Sequence, residues 1–454
     1  MKLKQLRTRY PEFFYKGYSY KLRGKDLTIS FDFRVPAFSA SRRILAGKSD
    51  IQFTPKVVIK NVEKKQLKRI GEDTLNNLVF HLGLMEIPSY WKATCSPRIV
   101  IEAGALNTAQ ITWWKNLFIQ GLGEFFYQNK IDFTKPNFLT IIAERAFTSA
   151  SSAKPTACPP VPGDGRRAFP NFASAKRSLG LAKRVLVPVG GGKDSAVTLE
   201  LLKNMEIRPL VLNPRSPQTA IIKKTGGKSP ITALRTIDPK LLGLNRKGFL
   251  NGHTPFSAYL AFLTALAAAL FDFKYIALSN ERSSNEGNMK YRGKIINHQY
   301  SKSFDFEKRF RFYSKIYLMP GLEYFSFLRP LSELQIAKIF SRFPKYFPAF
   351  LSCNEAYKTD SEKKKLSGTW RQKCSKCLFV YIILSPFVAQ KILEKIFKKN
   401  LLKDKSLKPL MDQLTGKRGF KPFECVGTPQ EVSAALSILN QVKDNREADK
   451  ILRS

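Results

Sequence analysis

Three consecutive glycines, Gly190-Gly191-Gly192, stand between a short apolar run at 184–189 and a segment of helical periodicity at 194–203. That junction constrains the fold more than any other feature of the chain. Glycine lets the backbone turn tightly and approach a ligand closely. A helix that starts directly after such a turn points unpaired N–H groups and a partial positive charge into the space beyond the strand. Downstream come a second apolar run at 209–213, an alanine-rich helical stretch at 258–273 and a third run at 275–278. Strand, loop, helix, strand, helix, strand is the alternation of a parallel α/β sheet.

The flanks read differently. Residues 1–147 mix strand-like runs (27–33, 57–59, 99–101) with helical ones (75–83, 113–127), an α+β pattern with no phosphate loop of its own. From 148 to about 180, Ser, Ala, Pro and Gly cluster without a period, as in a linker or mobile insertion, and Cys158 inside it reads as chemically idle. A helical, cysteine-bearing segment follows from about 344 to the end. The expected division is therefore 1–147, 148–180, 181–343 and 344–454. A chain of 454 residues exceeds a single compact core.

Charge bounds the partners. Lys and Arg number 77 against 35 Asp and Glu, a net +42, and the first 25 residues hold eight basic side chains and one acid, Glu12. Such a field attracts polyanions, whether RNA, DNA, anionic lipid or nucleotide-linked metabolites. The basic residues are scattered through every segment, which favours a solvated lysine-rich surface. Non-specific nucleic-acid binding is allowed by the charge and not required by it. The longest apolar stretch, 258–273, falls short of the roughly 20 residues of a membrane span. The basic N-terminus has no apolar region behind it, and six cysteines are too sparse for a disulfide framework. A soluble cytoplasmic protein without a membrane span is expected.

The glycine junction runs Val187-Pro188-Val189-Gly190-Gly191-Gly192-Lys193-Asp194-Ser195. A helix N-terminus behind it suits phosphate oxygens, with Ser195 adding a hydroxyl and Lys193 a charge. Asp194 beside phosphates makes sense if it binds Mg²⁺ or positions groups around a departing pyrophosphate. The Walker spacing fails because Asp194 follows Lys193, and the dinucleotide fingerprint fails because position 195 is not glycine. The segment resembles the Ser-Gly-Gly-x-Asp-Ser loop of the ATP pyrophosphatases (PP-loop proteins), which cleave ATP to AMP and pyrophosphate. Gly190 replaces the first serine, removing one hydroxyl donor, and Pro188 is unusual near the end of a central strand. An ordinary glycine-rich turn is the plain alternative.

Two further segments carry polar chemistry. Ser279-Asn280-Glu281-Arg282-Ser283-Ser284-Asn285-Glu286-Gly287-Asn288 follows the third apolar run directly. Ligands in open α/β sheets sit beyond the carboxyl ends of strands, so this decapeptide is expected to face the same crevice as the glycines. A solvated surface loop is the alternative. His298, one of three histidines, lies just beyond among hydrogen-bonding side chains and suits a structural role as well as a catalytic one. Near the C-terminus stands Cys374-Ser375-Lys376-Cys377, with Cys353 upstream and Cys425 downstream. A lone Cys-x-x-Cys is compatible with a Zn²⁺ half-site, with reactive thiols or with plain buried cysteines, and zinc would have to recruit Cys353, Cys425 or a histidine.

Longer stretches carry a broader resemblance: HLGLMEIPSYWKATCSP (81–97), WWKNLFIQGLGEFFYQN (113–129), PVGGGKDS (188–195), NGHTPFSA (251–258), SNERSSNEGN (279–288), NHQYSKSFDFE (297–307), YFSFLRPLSELQIAKIF (324–340) and KPFECVGT (421–428). They resemble the UDP-N-acetylmuramoyl-L-alanyl-L-glutamate epimerases of bacterial peptidoglycan synthesis. The resemblance touches all three segments of the chain and breaks only around 148–177. It implies ATP- and Mg²⁺-dependent inversion of the terminal L-glutamate of UDP-MurNAc-L-Ala-L-Glu, with ATP and that dipeptide conjugate as small-molecule substrates. It also implies an ATP-binding PP-loop domain at 181–343, with Gly190, Gly191, Gly192, Lys193, Asp194 and Ser195 at the nucleotide and Asp194 at the metal. Converting the carboxylate to an acyl-adenylate removes its negative charge and lets the carbonyl delocalise the carbanion. Cys374 and Cys377 are candidates for the opposing acid and base, and His298, Glu281 and Glu286 are the others. The rival reading is a PP-loop tRNA-modifying enzyme of the thiolase or lysidine-synthetase kind. An ATP-binding regulator without turnover is a third.

Overall fold

The computed structural model describes residues 2–38, 50–144, 181–226, 229–352 and 370–452. The insertion read at 148–180, with Cys158, and also Cys353 lie outside them. Contacts group the chain into two units: Met1–Leu181 with Arg235–Phe271 and Tyr313–Leu322, and Ala182–Leu234 with Asp272–Phe312 and Glu323–Ser454. Both are mixed α/β.

In the first unit β1 (Glu12–Arg23) and β2 (Asp26–Val35) form an antiparallel hairpin, and Gly24 at φ +58° opens its two-residue turn. Leu27, Ile29, Phe31, Phe33 and Val35 all point inward from β2, the period-two pattern of a half-buried strand. β3 (Ile51–Phe53) and β4 (Lys56–Ile59) pair antiparallel with β2. β5 (Arg98–Ala105) runs parallel to β1, and β6 (Thr140–Glu144) parallel to β5. The helix Glu72–Trp91 is buried almost all round, between this sheet and the alanine-rich helix Phe256–Phe271. Gly83 is required within it, because a Cβ there would collide with the buried Tyr15 ring. The 113–127 stretch is helical as expected but broken at Leu122 into Thr108–Gly121 and Gly123–Gln128.

The second unit holds β7 (Val185–Pro188), β8 (Ile207–Leu212), β9 (Ile231–Thr236), β10 (Tyr275–Leu278), a small hairpin of β11 (Met289–Tyr291) and β12 (Lys294–Ile296), and β13 (Glu323–Ser326). The sheet order is β13-β10-β7-β8-β9, with every neighbouring pair parallel. All four residues of β7 are buried, as befits a central strand covered on both faces. Pro188 is its last residue, beyond the final pair with β10, where a missing N–H disturbs the ladder least. The chain continues from β7 to β8 on one side and returns as β10 on the other, so the order in which strands are added reverses between β7 and β10. That is the topological switch point where α/β sheets open a crevice.

The helix Ser375–Leu384 is buried at every residue, in one core with β7, the helix Lys193–Leu201 and the helices that follow to the C-terminus. Strands β9 and β13 are among the elements without a clear signal in the sequence: β9 lies in a basic stretch read as turns, and β13 is a four-residue run, Glu-Tyr-Phe-Ser, with no alternation of polar and apolar side chains. Among the described residues no helix is long and apolar enough to cross a membrane.

Candidate active site

The glycine turn leaves the carboxyl end of β7. Gly191 adopts φ +88°, and Gly192 caps the helix Lys193–Leu201 from an extended conformation. The turn is fixed from two directions. Gly190 N–H donates to Ser195 Oγ at 3.0 Å, and Leu351 N–H donates to the Gly191 carbonyl at 2.8 Å. A side chain on Gly192 would run into Ser352 Oγ.

Lys193 turns inward. Its ammonium is buried between Asp194 and Glu333 and bonds to both. Burial opposes that charge, but the two carboxylates hold Lys193 above its ordinary range. Burial likewise pushes Glu333 up, to about 7, with Lys193 pulling the other way. In Asp194 the order is reversed: burial works to raise it, yet Lys193 and Lys376 keep it lowered. One lysine shared by two carboxylates thus leaves Asp194 as the anion and Glu333 as the group closer to protonation.

Glu281 comes from the loop after β10 and completes the set. Carboxylate oxygens of Asp194, Glu281 and Glu333 all lie within 4.8 Å of one another. Glu333 opens the helix Glu333–Ser341, capped by Ser332, and its N–H donates to Glu431 at 2.8 Å. The Glu281 loop is clamped by Arg329, which donates to the carbonyls of Glu281 at 2.7 Å and Lys302 at 2.5 Å and to Ser284 Oγ at 2.8 Å. Ser279 Oγ and Ser283 Oγ in the same loop are buried without a hydrogen-bond partner among the described residues.

Other expected residues are placed as follows. Glu286 is half-buried, and its carbonyl lies 3.5 Å from Lys421 Nζ. His298 is held by its own N–H, which donates to Asn288 Oδ1 at 2.8 Å, while its side chain hydrogen-bonds the thiol of Cys425. Cys374 caps the helix Ser375–Leu384 and its sulfur lies 3.4 Å from that of Cys377. Cys377 is fully buried in the core. Among the described residues no third metal-ligating atom groups with these two sulfurs.

The residues that sequence reasoning did not assign to the site are Glu333, Lys302, Lys376 and Cys425. Lys302 Nζ lies 3.1 Å from Cys425 Sγ, and Lys376 Nζ donates to the Cys425 carbonyl and stands 4.0 Å from Glu333. The signal available was the clustering of Lys302, Glu333 and Cys425 inside the stretches 297–307, 324–340 and 421–428. In the first unit, a groove of about 660 Å³ lined by Lys16, Arg34, Lys240 and Lys247 contains none of these residues.

Comparison with known proteins gives a consistent result. Residues 5–327 match the family model of the MurL N-terminal domain, and 349–454 that of the MurL C-terminal domain. A Micromonospora protein named UDP-N-acetyl-alpha-D-muramoyl-L-alanyl-L-glutamate epimerase is 34% identical over 83% of this chain and 77% of its own. Proteins of the same name from Xanthomonas oryzae pv. oryzae and Salinispora tropica are 33% and 34% identical, over 79% and 83% of this chain and 73% and 76% of theirs. No solved structure matches the chain.

Proposed function

The chain belongs to the MurL family, and from that premise we propose that it is an epimerase of peptidoglycan precursor synthesis. It inverts the terminal L-glutamate of UDP-MurNAc-L-Ala-L-Glu in the cytoplasm, through an acyl-adenylate formed from ATP with release of pyrophosphate and then AMP. The observation that carries the ATP-dependent part is the meeting of two loops at the β7–β10 switch point. One offers helix N–H groups behind glycines, and the other brings Glu281 against Asp194 and Glu333. The same meeting of loops supports the reading of this unit as a PP-loop nucleotide-binding domain.

Three carboxylate oxygens in a small space fit a hard, oxygen-ligated cation. Asp194, Glu281 and Glu333 would hold Mg²⁺, which when bound neutralises phosphate charge. The chain's own groups do the rest. Loop N–H groups orient the phosphates, the free hydroxyls of Ser279 and Ser283 offer donors, and Lys302, Lys376 and Lys421 supply positive charge for anionic parts of the substrates. Activation is needed because an α-carbanion beside a free carboxylate would place two negative charges together, whereas an acyl-adenylate carbonyl accepts the electron pair.

Incubation with ATP, Mg²⁺ and UDP-MurNAc-L-Ala-L-Glu, followed by chiral analysis of the glutamate and nucleotide chromatography, tests the reading. D-glutamate with AMP and pyrophosphate is the expected outcome. ADP with phosphate would remove the adenylation step, and turnover on tRNA without inversion would favour an RNA-modifying enzyme.

A further inference from the structure

Cys425 is a half-buried thiol surrounded by cations, and neither nucleotide binding nor metal binding uses it. Lys302 Nζ is 3.1 Å from its sulfur, and the His298 side chain hydrogen-bonds it. Lys376 donates to its backbone carbonyl. The loop that carries it is held in place: Asn288 Nδ2 donates to the carbonyls of Lys421 at 3.1 Å and Pro422 at 2.8 Å, and Glu424 accepts from Lys376 N–H at 2.6 Å. Lys302 and Lys376 also connect this thiol to the carboxylates. Lys376 stands beside Glu333, and Lys302 feels both Glu281 and Asp194. The two thiols of the Cys-x-x-Cys are less available: Cys377 is sealed in the core and Cys374 hydrogen-bonds it, while the carboxylates Glu333 and Asp194 are engaged with Lys193.

We propose that Cys425 is a catalytic residue of the inversion, its thiolate exchanging the substrate's α-proton on one face. The proposal rests on the epimerase reading above. In the step, the α C–H bond breaks and an S–H bond forms. The electron pair moves into the acyl carbonyl, and a proton is returned to carbon from the opposite face. In the reverse direction the Cys425 thiol gives its proton to the same face. Burial pushes this thiol up, but Lys302, His298 and Lys376 more than offset it and bring it down to about 6, so that it is a thiolate at neutral pH. Lys302 stays charged, because Cys425 and Glu281 outweigh the effect of its own burial. It therefore holds the thiolate and does not compete as a base.

The experiment uses full-length protein and the Cys425→Ala and Cys425→Ser variants, each given the L-glutamyl and the D-glutamyl substrate separately in D₂O with ATP and Mg²⁺. Both variants are expected to continue substrate-dependent AMP release, while inversion falls by about 100-fold or more. Deuterium should enter the α-position from only one of the two epimers, the one deprotonated by the remaining base. A folding defect would not produce that asymmetry. Iodoacetamide labelling of the wild-type chain with peptide mapping is expected to modify Cys425 with a half-maximal rate near pH 6. Inversion within a few-fold of wild type, equal deuterium entry from both epimers, loss of AMP release in folded variants, or a Cys425 labelling midpoint above pH 8 would overturn the proposal. If the wild-type protein neither inverts the substrate nor releases AMP, the epimerase reading fails instead, while the labelling profile still reports on the thiol.

Discussion

At single residues, burial decides which motif positions are structural and which are chemical. His81 opens one of the family stretches, yet it is buried in the first unit. Its Nδ1–H donates to the Asn77 carbonyl at 2.8 Å, and its Nε2 accepts a hydrogen bond from the Tyr313 hydroxyl at 2.9 Å. Tyr313 in turn accepts from Trp114 at 2.9 Å and Gln110 at 3.2 Å. Burial holds His81 at about 4, below the ordinary 6.5, so the unfolded chain takes up the proton first as pH falls. The stability from neutral His81 is complete above pH 6.5 and is lost progressively toward pH 4. Between pH 7.5 and 5 the loss is about 2 kcal/mol. Urea denaturation at the two pH values should show that difference for wild type and a flatter response for His81→Gln. Asp194 is the contrasting case, a charge whose partners are functional groups. Asp194→Asn should keep the fold and lower ATP-dependent turnover by about 10²–10³, by analogy with removal of one preorganised electrostatic group. A soluble variant with near-normal AMP release would place the chemistry elsewhere.

Among the elements, the glycine turn shows how closely a local motif depends on a distant segment. Its three glycines are not equivalent. Gly190 has room for a side chain, Gly191 needs its left-handed φ, and Gly192 has an ordinary φ but faces Ser352 Oγ. Gly192→Ala should therefore impair ATP use through a collision and not through backbone strain. Adding Ser352→Ala should recover part of the loss, and a double-mutant cycle on AMP release measures the coupling. If the second change makes no difference, the glycine serves the ligand directly. Strand β7 and its helix were legible because a fully buried strand reads as a continuous apolar run. Strands β9 and β13 were not, since mixed side-chain patterns and short length erase the period-two signal.

For the whole molecule, the excess of positive charge is the property least explained by the site. The candidate site offsets much of its own charge, since Lys193, Lys302 and Lys376 stand among Asp194, Glu281, Glu333 and Cys425. The net +42 is spread along the chain. Such a surface is expected to bind bulk tRNA weakly at low salt and to release it as salt rises toward 0.2 M, on the order of a 10³-fold loss for six or more phosphate contacts. Added tRNA should not compete with the UDP-linked substrate at physiological ionic strength. A filter-binding salt titration run beside the epimerisation assay checks both points, and competitive inhibition by tRNA would mean that the basic surface and the site are one.

The sequence by itself determined the glycine turn, its flanking strand and helix, the parallel α/β class and the family. All of these are encoded in local periodicity and contiguous motifs. Only the tertiary structure brought Glu333, some 140 residues along the chain from Lys193, onto its ammonium, and gave Cys425 both Lys302 and His298 as hydrogen-bond partners. Sequence reading singled out Cys374 and Cys377 because two cysteines three residues apart form a visible pattern, and left Cys425 as a spare ligand because a lone cysteine forms none. A thiol's reactivity depends on the charges folded around it, and in a sheet with crossover connections those charges come from loops far apart in the chain.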